Sequence, residues 1–189
     1  MKSGNPFITP CKCSGSMSYI HLKCLRDWTD SKKQAQHEFG VSSYYWENLV
    51  CELCKSPLNL VVRSVSRPGY QQFLLEIERP VNEPYMVLES DIDCPSKAIH
   101  VINLIKKPNC SVGRRVNNEI SISDISVSRC QAEFQLVDNQ LFVNDKDSKF
   151  GTFKKVDGLV QVRKDQMYLP VQIEKKCFFF KLIERFSAT

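Results

Sequence analysis

The sequence predicts a mostly β protein, in which a small metal-bound α+β module is followed by a β-sandwich. The first observation is a concentration of six cysteine and histidine side chains within residues 1–54, in pairs spaced as metal ligands are. The second is a series of short apolar segments from residue 85 onward. Turn sequences such as Asp138-Asn139 separate these segments, which is typical of an all-β sandwich.

Composition and charge limit the classes of protein to which the chain can belong. Its 189 residues are 42% hydrophobic and 25% charged, which suits one large or two small globular domains. No apolar run has the length of a membrane span, and Lys2 is followed by polar residues. We therefore expect an intracellular protein, cytoplasmic or nuclear, that is neither secreted nor membrane-bound. The net charge of +5 favours an anionic partner, but the basic residues are scattered, which argues against nucleic acid.

Three segments follow from these patterns: a metal-binding module over residues 1–60, a connector over 61–84 and a β-sandwich over 85–189. The connector contains Phe73-Leu74-Leu75, which is too apolar for a free linker, so we expect it to pack partly on its neighbours. Seven strands are predicted in the third segment, at 85–88, 99–104, 119–123, 133–137, 140–143, 158–162 and 177–182.

The metal-binding module contains one predicted helix. Ile20, Cys24 and Trp28 recur at a spacing of four, which places them on one face of a helix from Ser18 to about Lys33. The polar residues that follow, 34–43, predict a loop.

The six ligands form three pairs. They are Cys11-x-Cys13, His21-x-x-Cys24 and Cys51-x-x-Cys54. Zinc takes four thiolate or imidazole ligands in a tetrahedron, so six ligands do not divide into complete sites. Clustered cysteines in a reducing compartment are more often metal ligands than disulfides. The other four cysteines, at positions 94, 110, 130 and 177, have no close pair and are interpreted as free or buried thiols.

The order and surroundings of these pairs resemble the RING-CH (RINGv) zinc finger. The matching run opens with Pro10-Cys-Lys-Cys-Ser-Gly-Ser and closes with Cys51-Glu-Leu-Cys-Lys-Ser-Pro. In that family the ligand pairs alternate between two zinc ions, and the leading C-x-x-C pair of the family is absent from this chain. The resemblance therefore implies one full zinc site and one half site. The full site is Cys11, Cys13, Cys51 and Cys54, and the half site is His21 and Cys24.

The same family acts as a scaffold for ubiquitin transfer, without a covalent intermediate on the ligase, so no catalytic residue is implied. Trp28 lies one helical turn after Cys24, where RING-type fingers place an apolar residue in the groove that docks a ubiquitin-conjugating enzyme. Packing of the helix explains Trp28 equally well.

The missing ligand pair has three explanations. The chain is a fragment, another residue such as His37 or Cys94 substitutes, or the module binds a single ion. We expect the first, because residues 5–11 already begin inside the family motif.

A second resemblance lies between residues 112 and 153. Val112-Gly-Arg114, Ser128-Arg-Cys-Gln131 and Ser148-Lys-Phe-Gly-Thr152 follow one another there. They resemble the fingerprint of the forkhead-associated (FHA) domain, which reads G-R, S-x-x-H and S-x-N-G-T. The resemblance implies a β-sandwich whose loops bind phosphothreonine peptides at one end.

These loops supply what a phosphate dianion requires, namely guanidinium groups and short hydrogen-bond donors. Five residues are assigned to phosphopeptide binding: Arg114, Ser128, Arg129, Lys149 and Phe150. Two positions depart from the family. Gln131 replaces a histidine, and we expect it to bond within the loop instead. Phe150 replaces an asparagine that grips the peptide backbone, so we expect it to change affinity or selectivity.

The two motif sets together predict a phosphothreonine-peptide-binding FHA protein with a RING-CH zinc finger, which serves as a ubiquitin-ligase-type scaffold or derives from one. The implied cofactor is zinc. The implied partners are a phosphothreonine-containing protein and, where the finger is complete, a ubiquitin-conjugating enzyme. The alternative is a non-enzymatic, phospho-dependent adaptor in which the zinc module is structural.

Overall fold

The computed structural model describes residues 5–65, 69, 71–90, 96–159, 169–173 and 176–180. In chain order the elements are β1 (Phe7–Ile8), a 3-10 turn (Gly15–Ser18), β2 (Ile20–His21), α1 (Leu22–Ser31), β3 (Gln34–Glu38), β4 (Val41–Glu47), β5 (Val61–Arg63), β6 (Gln71–Phe73), β7 (Tyr85–Glu89), β8 (Ser96–Asn103), β9 (Asn109–Gly113), β10 (Ile120–Ser121), β11 (Ala132–Val137), β12 (Gln140–Asp145), β13 (Leu169–Ile173) and β14 (Lys176–Phe180). Strands dominate, which confirms the predicted mostly β architecture.

Helix α1 supplies one wall of the core of the N-terminal module. It begins at Leu22, with His21 in an extended conformation as its N-cap. Its buried residues are Leu22, Leu25 and Thr29, whose spacing of three and four defines one helix face. This face packs with apolar residues that surround the cysteine pairs. They are Ile8, Leu58, Val62 and Leu74.

The predicted start of this helix is wrong, and Ile20 does not share a helix face with Cys24 and Trp28. Ile20 lies in β2, where it pairs with Ile8 of β1, because the chain is still extended before α1. Cys24 is exposed rather than buried. Apolar residues at a spacing of four are compatible with more than one helix face, and packing against β1 selects the face that contains Leu25.

The segment between the second and third ligand pairs forms a β-hairpin that belongs to the sheet of the sandwich. β3 and β4 pair antiparallel, and β4 pairs with β8 over seven residue pairs, from Val41 opposite Ile102 to Glu47 opposite Ser96. The order of this sheet is β3-β4-β8-β7. The predicted boundaries at residues 60 and 85 therefore separate segments that share a sheet.

The predicted loop over residues 34–43 is wrong. All five residues of β3 are exposed, so this strand buries no apolar side chain and leaves no periodic signal in the sequence. Its extended conformation comes from pairing with β4, which is rich in the β-branched and aromatic residues that favour strands.

A common core joins this hairpin to the sandwich and the connector. Tyr44 and Trp46 of β4 pack with Ile99 and Val101 of β8, and Trp46 is 0% exposed. Three residues from the flanking segments complete this core: Leu49, Leu75 and Ile77. The hairpin is therefore held by apolar burial as well as by backbone pairing.

A buried polar contact fixes the register of the hairpin on β8. Ser43 lies opposite His100, and the Ser43 hydroxyl is 2.8 Å from Nδ1 of the imidazole. Burial lowers the pKa of His100, so the ring is neutral at pH 7. A one-residue slip would turn the Ser43 side chain to the other face of the sheet and break this bond.

The second sheet of the sandwich has the order β10-β9-β11-β12, with β10 parallel to β9 and β11 antiparallel to both of its neighbours. Between the sheets lies a core to which the hairpin contributes Val41. Its other buried members are Met86, Ile102, Leu104, Cys110, Val112 and Ile120. β13 and β14 form a separate antiparallel pair.

Most of the predicted strands have an observed counterpart. The predictions at 85–88, 99–104, 133–137 and 140–143 match β7, β8, β11 and β12, and 177–182 overlaps β14. The prediction at 119–123 corresponds to the two residues of β10, and most of the one at 158–162 lies outside the described residues.

The predicted connector packs on the N-terminal module. β5 pairs with β6, and Ser64 forms an antiparallel bridge with Ile8. Arg26 of α1 donates from Nη2 to the Phe73 carbonyl at 2.7 Å and pairs with the Glu76 carboxylate at 2.5 Å. Polar contacts thus join α1 to the connector beside the apolar core.

Glu119 ties the strand β9 to the segment before it. Its carboxylate accepts from the Ser111 N–H at 2.8 Å and from the Ser111 hydroxyl, and pairs with Lys107 at 3.0 Å. Burial alone would raise the pKa of Glu119, but these bonds outweigh it and lower the pKa from 4.5 to about 2.

We expect the free energy of unfolding of Glu119→Gln to fall less than that of wild type between pH 5 and pH 2. Because the folded-state pKa is depressed, the ionised carboxylate stabilises the fold above the ordinary value of 4.5, and this contribution is lost as the pH falls towards about 2. Urea unfolding at several pH values measures the difference in the free energy of unfolding between variant and wild type. Glu38→Gln, at an exposed position of β3, is the control. A difference that does not change between pH 5 and pH 2 would contradict the prediction.

Candidate functional site

Four cysteine side chains lie together where β1 ends and where the chain turns after β4. The Sγ atoms of Cys11, Cys13, Cys51 and Cys54 all lie within 4.8 Å of one another, and those of Cys13 and Cys51 are 3.7 Å apart. A tetrahedral zinc ion with Zn–S bonds of about 2.3 Å places its sulfurs about 3.8 Å apart. These four side chains therefore fit one zinc ion.

Ser56 connects the two cysteine pairs, a role that sequence reasoning missed. Its hydroxyl oxygen accepts from the Lys12 N–H at 3.2 Å and lies 3.0 Å from Cys54 Sγ. Its carbonyl accepts from the Cys51 N–H at 2.9 Å. Hydrogen bonds from the Ser56 hydroxyl and N–H, together with those to Cys13 and Cys51, lower the pKa of Cys54 to about 6, which favours the thiolate that zinc binds. No periodicity or motif in the sequence signals this role.

The predicted half site is not joined to a further ligand among the described residues. The His21 ring stacks on Phe7 at a centroid distance of 4.0 Å, and Cys24 is exposed on α1. His37 lies in β3, with its Nδ1 atom 3.1 Å from the Ser42 hydroxyl, and takes no part in the cysteine cluster. Cys94 lies outside the described residues.

Trp28 is half-buried on α1, where it packs against the apolar core around the cysteines. The ammonium group of Lys32 lies 4.3 Å from the centroid of its ring. Leu53, between the last two cysteines, is 63% exposed. This region therefore presents an aromatic ring and an exposed aliphatic side chain on two elements of the N-terminal module.

A cavity of about 850 Å³ lies among three loops of the sandwich, after β9, between β10 and β11, and after β12. The loops contribute five basic side chains and one acidic side chain. The lining residues are Arg114, Arg115, Ile125, Ser126, Val127, Ser128, Arg129, Cys130, Lys146, Asp147, Lys149 and Phe150. The structure thus brings together all five residues predicted for phosphopeptide binding.

Sequence reasoning missed seven of the lining residues, which are Arg115, Ile125, Ser126, Val127, Cys130, Lys146 and Asp147. Arg115 adjoins the predicted Arg114 and could have been included on that ground. Lys146 and Ile125 carry no motif signal, and their place in the cavity depends on how the loops fold. Among the described ion pairs, the Lys146 ammonium is matched by Glu133 at 2.6 Å. None of those pairs involves the other four basic residues of the cavity.

Gln131 joins two of these loops. Its Oε1 accepts from the Ser128 N–H at 3.0 Å, and its Nε2 donates to the Gly151 carbonyl at 3.0 Å and to the Thr152 hydroxyl at 3.1 Å. The Lys149 N–H donates to the Ser128 hydroxyl oxygen at 2.9 Å. Gln131 therefore bonds within the loop region, and the backbone N–H of Ser128 is already engaged.

Gly113 permits the close approach of the first two loops. A Cβ atom at this position would lie 2.5 Å from the Arg129 carbonyl oxygen, which is shorter than any ordinary contact. Beside it, the Arg114 N–H donates to the Ser128 carbonyl at 2.9 Å. The absence of a side chain at Gly113 therefore lets the two loops bond directly across the cavity wall.

Family models match the chain in two places. Residues 1–54 match the RING-variant domain and residues 110–171 match the FHA domain, which confirms both resemblances. Among the described residues, no helix combines the length and the apolar character that crossing a membrane requires.

Curated relatives match the N-terminal part of the chain. The E3 ubiquitin-protein ligase MARCHF7 of Rattus norvegicus is 36% identical over 58 residues, which are 31% of this chain and 8% of that protein. The ERAD-associated E3 ubiquitin-protein ligase DOA10 of Saccharomyces cerevisiae is 35% identical over 54 residues, 29% of this chain and 4% of that protein. The probable E3 ubiquitin ligase SUD1 of Arabidopsis thaliana is 30% identical over 77 residues, 39% and 6% of the two chains. No solved structure matches the chain.

Proposed function

We propose that the chain binds phosphothreonine peptides in the basic cavity and that its RING-variant module serves as a ubiquitin-ligase-type scaffold for the bound protein. The observation that carries the first half is the cavity itself, where five basic residues surround Ser128. The matched relatives whose names describe ubiquitin ligases support the second half.

The cavity offers both positive charge and an oriented hydrogen-bond donor to a phosphate group. Arg114 donates from Nε to the Val127 carbonyl at 3.3 Å, which positions its guanidinium on the cavity wall. Since the Ser128 hydroxyl oxygen accepts from Lys149 N–H, its own hydrogen is left to donate to an anion. A guanidinium combined with an oriented hydroxyl donor suits a phosphate dianion.

The N-terminal module supports the scaffold function through its four-cysteine cluster. Zinc bound by Cys11, Cys13, Cys51 and Cys54 would supply a tetrahedral cross-link rather than chemistry. Ser56 orients two of these ligands, while α1 presents Trp28 on a helix packed against the same core. We infer that Trp28, with Leu53 beside the cluster, contributes to docking of a ubiquitin-conjugating enzyme.

We expect Arg114→Ala to weaken binding of a phosphothreonine peptide by about 10- to 100-fold, the value of one or two charge-assisted hydrogen bonds. Fluorescence anisotropy with a labelled peptide measures the dissociation constant, and the unphosphorylated peptide gives the background. Arg63→Ala, an exposed residue of β5 outside the cavity, is the matched control. Equal affinities of Arg114→Ala and wild type would show that the phosphate site is elsewhere.

Where a leading C-x-x-C pair completes the finger, we expect the protein to support ubiquitin transfer in the presence of a suitable conjugating enzyme, and Trp28→Ala to reduce the rate severalfold through lost apolar contact. A self-ubiquitination assay with a panel of conjugating enzymes measures the rate of transfer. Phe39→Ala, in the turn between β3 and β4, is a control with an exposed aromatic residue. A chain that binds phosphopeptides but supports no transfer with any of these enzymes would instead be an adaptor.

A further inference from the structure

The hairpin between the second and third ligand pairs leaves one strand edge open. Among the described residues, β3 is the terminal strand of its sheet and pairs only with β4. All five of its residues are exposed, and they include one acidic side chain, Glu38, but no lysine, arginine or proline. Natural sheets protect terminal strands with lysines, prolines or bulges, because an open edge pairs with other extended chains. The register of β3 on β4 is continuous, so β3 has no bulge and lacks all three of these protections.

The turn that joins β3 to β4 determines which backbone groups of β3 point outward. Two residues connect Glu38 to Val41, and these two residues pair directly. In such a turn the carbonyl of the first residue bonds to the N–H of the fourth, and bonding directions alternate along a strand. The backbone groups of Gln36 therefore face β4 as well, whereas the N–H and C=O groups of Ala35 and His37 point away from it. These outward groups are free to bond to an added strand.

A cleft of about 220 Å³ lies beside this edge, between the terminal strands of the two sheets. Gln36 and Glu38 of β3 line one side, and Asn118 and Glu119, which precede β10, line the other. A strand added to β3 would direct every second side chain towards the cleft, because side chains alternate between the faces of a sheet. Backbone pairing and a pocket for one side chain are the two components by which domains bind a peptide as an extra strand.

The lining of the cleft is acidic. It contains two carboxylates, those of Glu38 and Glu119, and no lysine, arginine or histidine. Lys107 already pairs with the Glu119 carboxylate at 3.0 Å. Among the described ion pairs, none involves Glu38. The Glu38 carboxylate is therefore available to a cation that enters the cleft from a neighbouring strand.

We propose that the open edge of β3 binds an extended segment of a partner protein as an additional strand, with an arginine or lysine side chain of that segment in the acidic cleft. Charge complementarity selects this occupant. A second copy of the chain fits less well, because β3 has no lysine or arginine to place beside Glu38. The surface is separate from the basic cavity and requires no phosphate, so the inference does not depend on the phosphopeptide function.

The walls of the cleft are fixed before a ligand binds. Ser43 lines the cleft and is held by its 2.8 Å contact with the buried His100. On the opposite wall, Asn118 donates from Nδ2 to the carbonyls of Arg115 at 2.7 Å and Arg129 at 2.9 Å. Because these side chains are already bonded, binding loses little free energy in ordering them. The cleft can therefore discriminate between side chains by their charge.

The test uses four labelled ten-residue peptides in which valine and threonine alternate. One central threonine is replaced by arginine, lysine, glutamine or glutamate. We expect the arginine and lysine peptides to bind the full chain about tenfold more tightly than the glutamine peptide, the value of one charge-assisted hydrogen bond. The glutamate peptide is expected to bind most weakly. Fluorescence anisotropy gives the four dissociation constants.

Hydrogen exchange followed by NMR locates the bound peptide on the protein. We expect the amide hydrogens of Ala35 and His37 to exchange at least about tenfold more slowly when the arginine peptide is saturating, because they become bonded to it. The amide hydrogen of Gln36 already faces β4, so its exchange is expected to change little. This alternating protection distinguishes strand addition from contact with side chains alone.

Two substitutions separate the cleft from the edge. Glu38→Gln is expected to remove the preference for arginine over glutamine while both peptides still bind. Ala35→Pro removes an outward N–H and is expected to weaken binding of all four peptides, and unchanged exchange of the β4 amides shows that its hairpin remains folded. Glu47→Gln, at the exposed end of β4, is the matched control and is expected to change none of the constants.

Four results would overturn the inference. They are the absence of binding at millimolar peptide, equal binding of the arginine and glutamate peptides, binding without protection of Ala35 and His37, and an arginine preference that survives Glu38→Gln. A dimer of the full chain in analytical ultracentrifugation that Ala35→Pro dissociates also overturns it, because a second copy would then occupy the edge. Each of these results leaves phosphopeptide binding intact, and failure of phosphopeptides to bind leaves strand addition intact.

Discussion

Replacement of Cys51 by serine is expected to destabilise the β-sandwich as well as the N-terminal module. Cys13 and Cys51 are separated by 38 positions in sequence, and the segment between them contains α1 and the hairpin β3–β4. Zinc would close this segment into a loop. Because zinc binding contributes directly to the folding of such modules, loss of one ligand is expected to cost about 3 kcal/mol or more.

Hydrogen exchange on the full chain tests how far the effect extends. We expect faster exchange of the amide hydrogens of β8 in Cys51→Ser, because β4 supplies one of its two neighbours in the sheet. The zinc content is expected to fall in parallel. Cys130→Ser alters an exposed cysteine outside the cluster and is the matched control. Unchanged protection of β8 in a zinc-depleted Cys51→Ser protein would refute the connection between cluster and sandwich.

Replacement of Trp46 by alanine is expected to have the second large effect. Trp46 is fully buried where β4, β8 and the connector meet, and removal of a buried tryptophan side chain costs about 3–5 kcal/mol. Its Nε1 atom is buried without a hydrogen-bond partner among the described residues. Trp46→Phe removes that unsatisfied group while it keeps most of the apolar contact, so it is expected to cost much less.

Urea unfolding followed by far-ultraviolet circular dichroism measures both substitutions. We expect Trp46→Ala to lower the midpoint of unfolding strongly and Trp46→Phe to lower it slightly. Trp28→Ala, at a half-buried position in the other core, shows the cost of losing a tryptophan outside the shared core. A cost below about 1 kcal/mol for Trp46→Ala would mean that the contact between hairpin and sandwich contributes little to stability.

The parts of the site that were predictable are those whose residues lie close together in sequence, in recognisable motifs. The C-x-C and C-x-x-C pairs bring their own two ligands together through tight turns, whereas the assignment of both cysteine pairs to one ion came from the resemblance to the RING-CH finger. Arg114 and Ser128 were predicted from the short G-R and S-x-x-H elements of the FHA fingerprint. Several strands of the sandwich, such as β8 and β11, were predictable because they contain buried apolar residues within short segments.

The parts that were missed depend on contacts between distant segments. Ser43 and His100 are 57 positions apart, and the sequence around each residue gives no indication that the two are in contact. The polar strand β3 buries no side chain at all, so its sequence is indistinguishable from that of a loop. Ser56 joins two ligand pairs through hydrogen bonds that exist only after the chain has folded.

The hairpin between the ligand pairs also limits how such a protein can arise and be divided. Genes that exchange whole domains by recombination require a boundary at which each piece can fold alone. A cut at residue 60 or 85 of this chain would remove β4 and leave β8 with an unpaired edge along seven residues. Open edges of this kind invite association with other chains. The RING-variant and FHA segments are therefore expected to fold as one unit rather than as two separable domains.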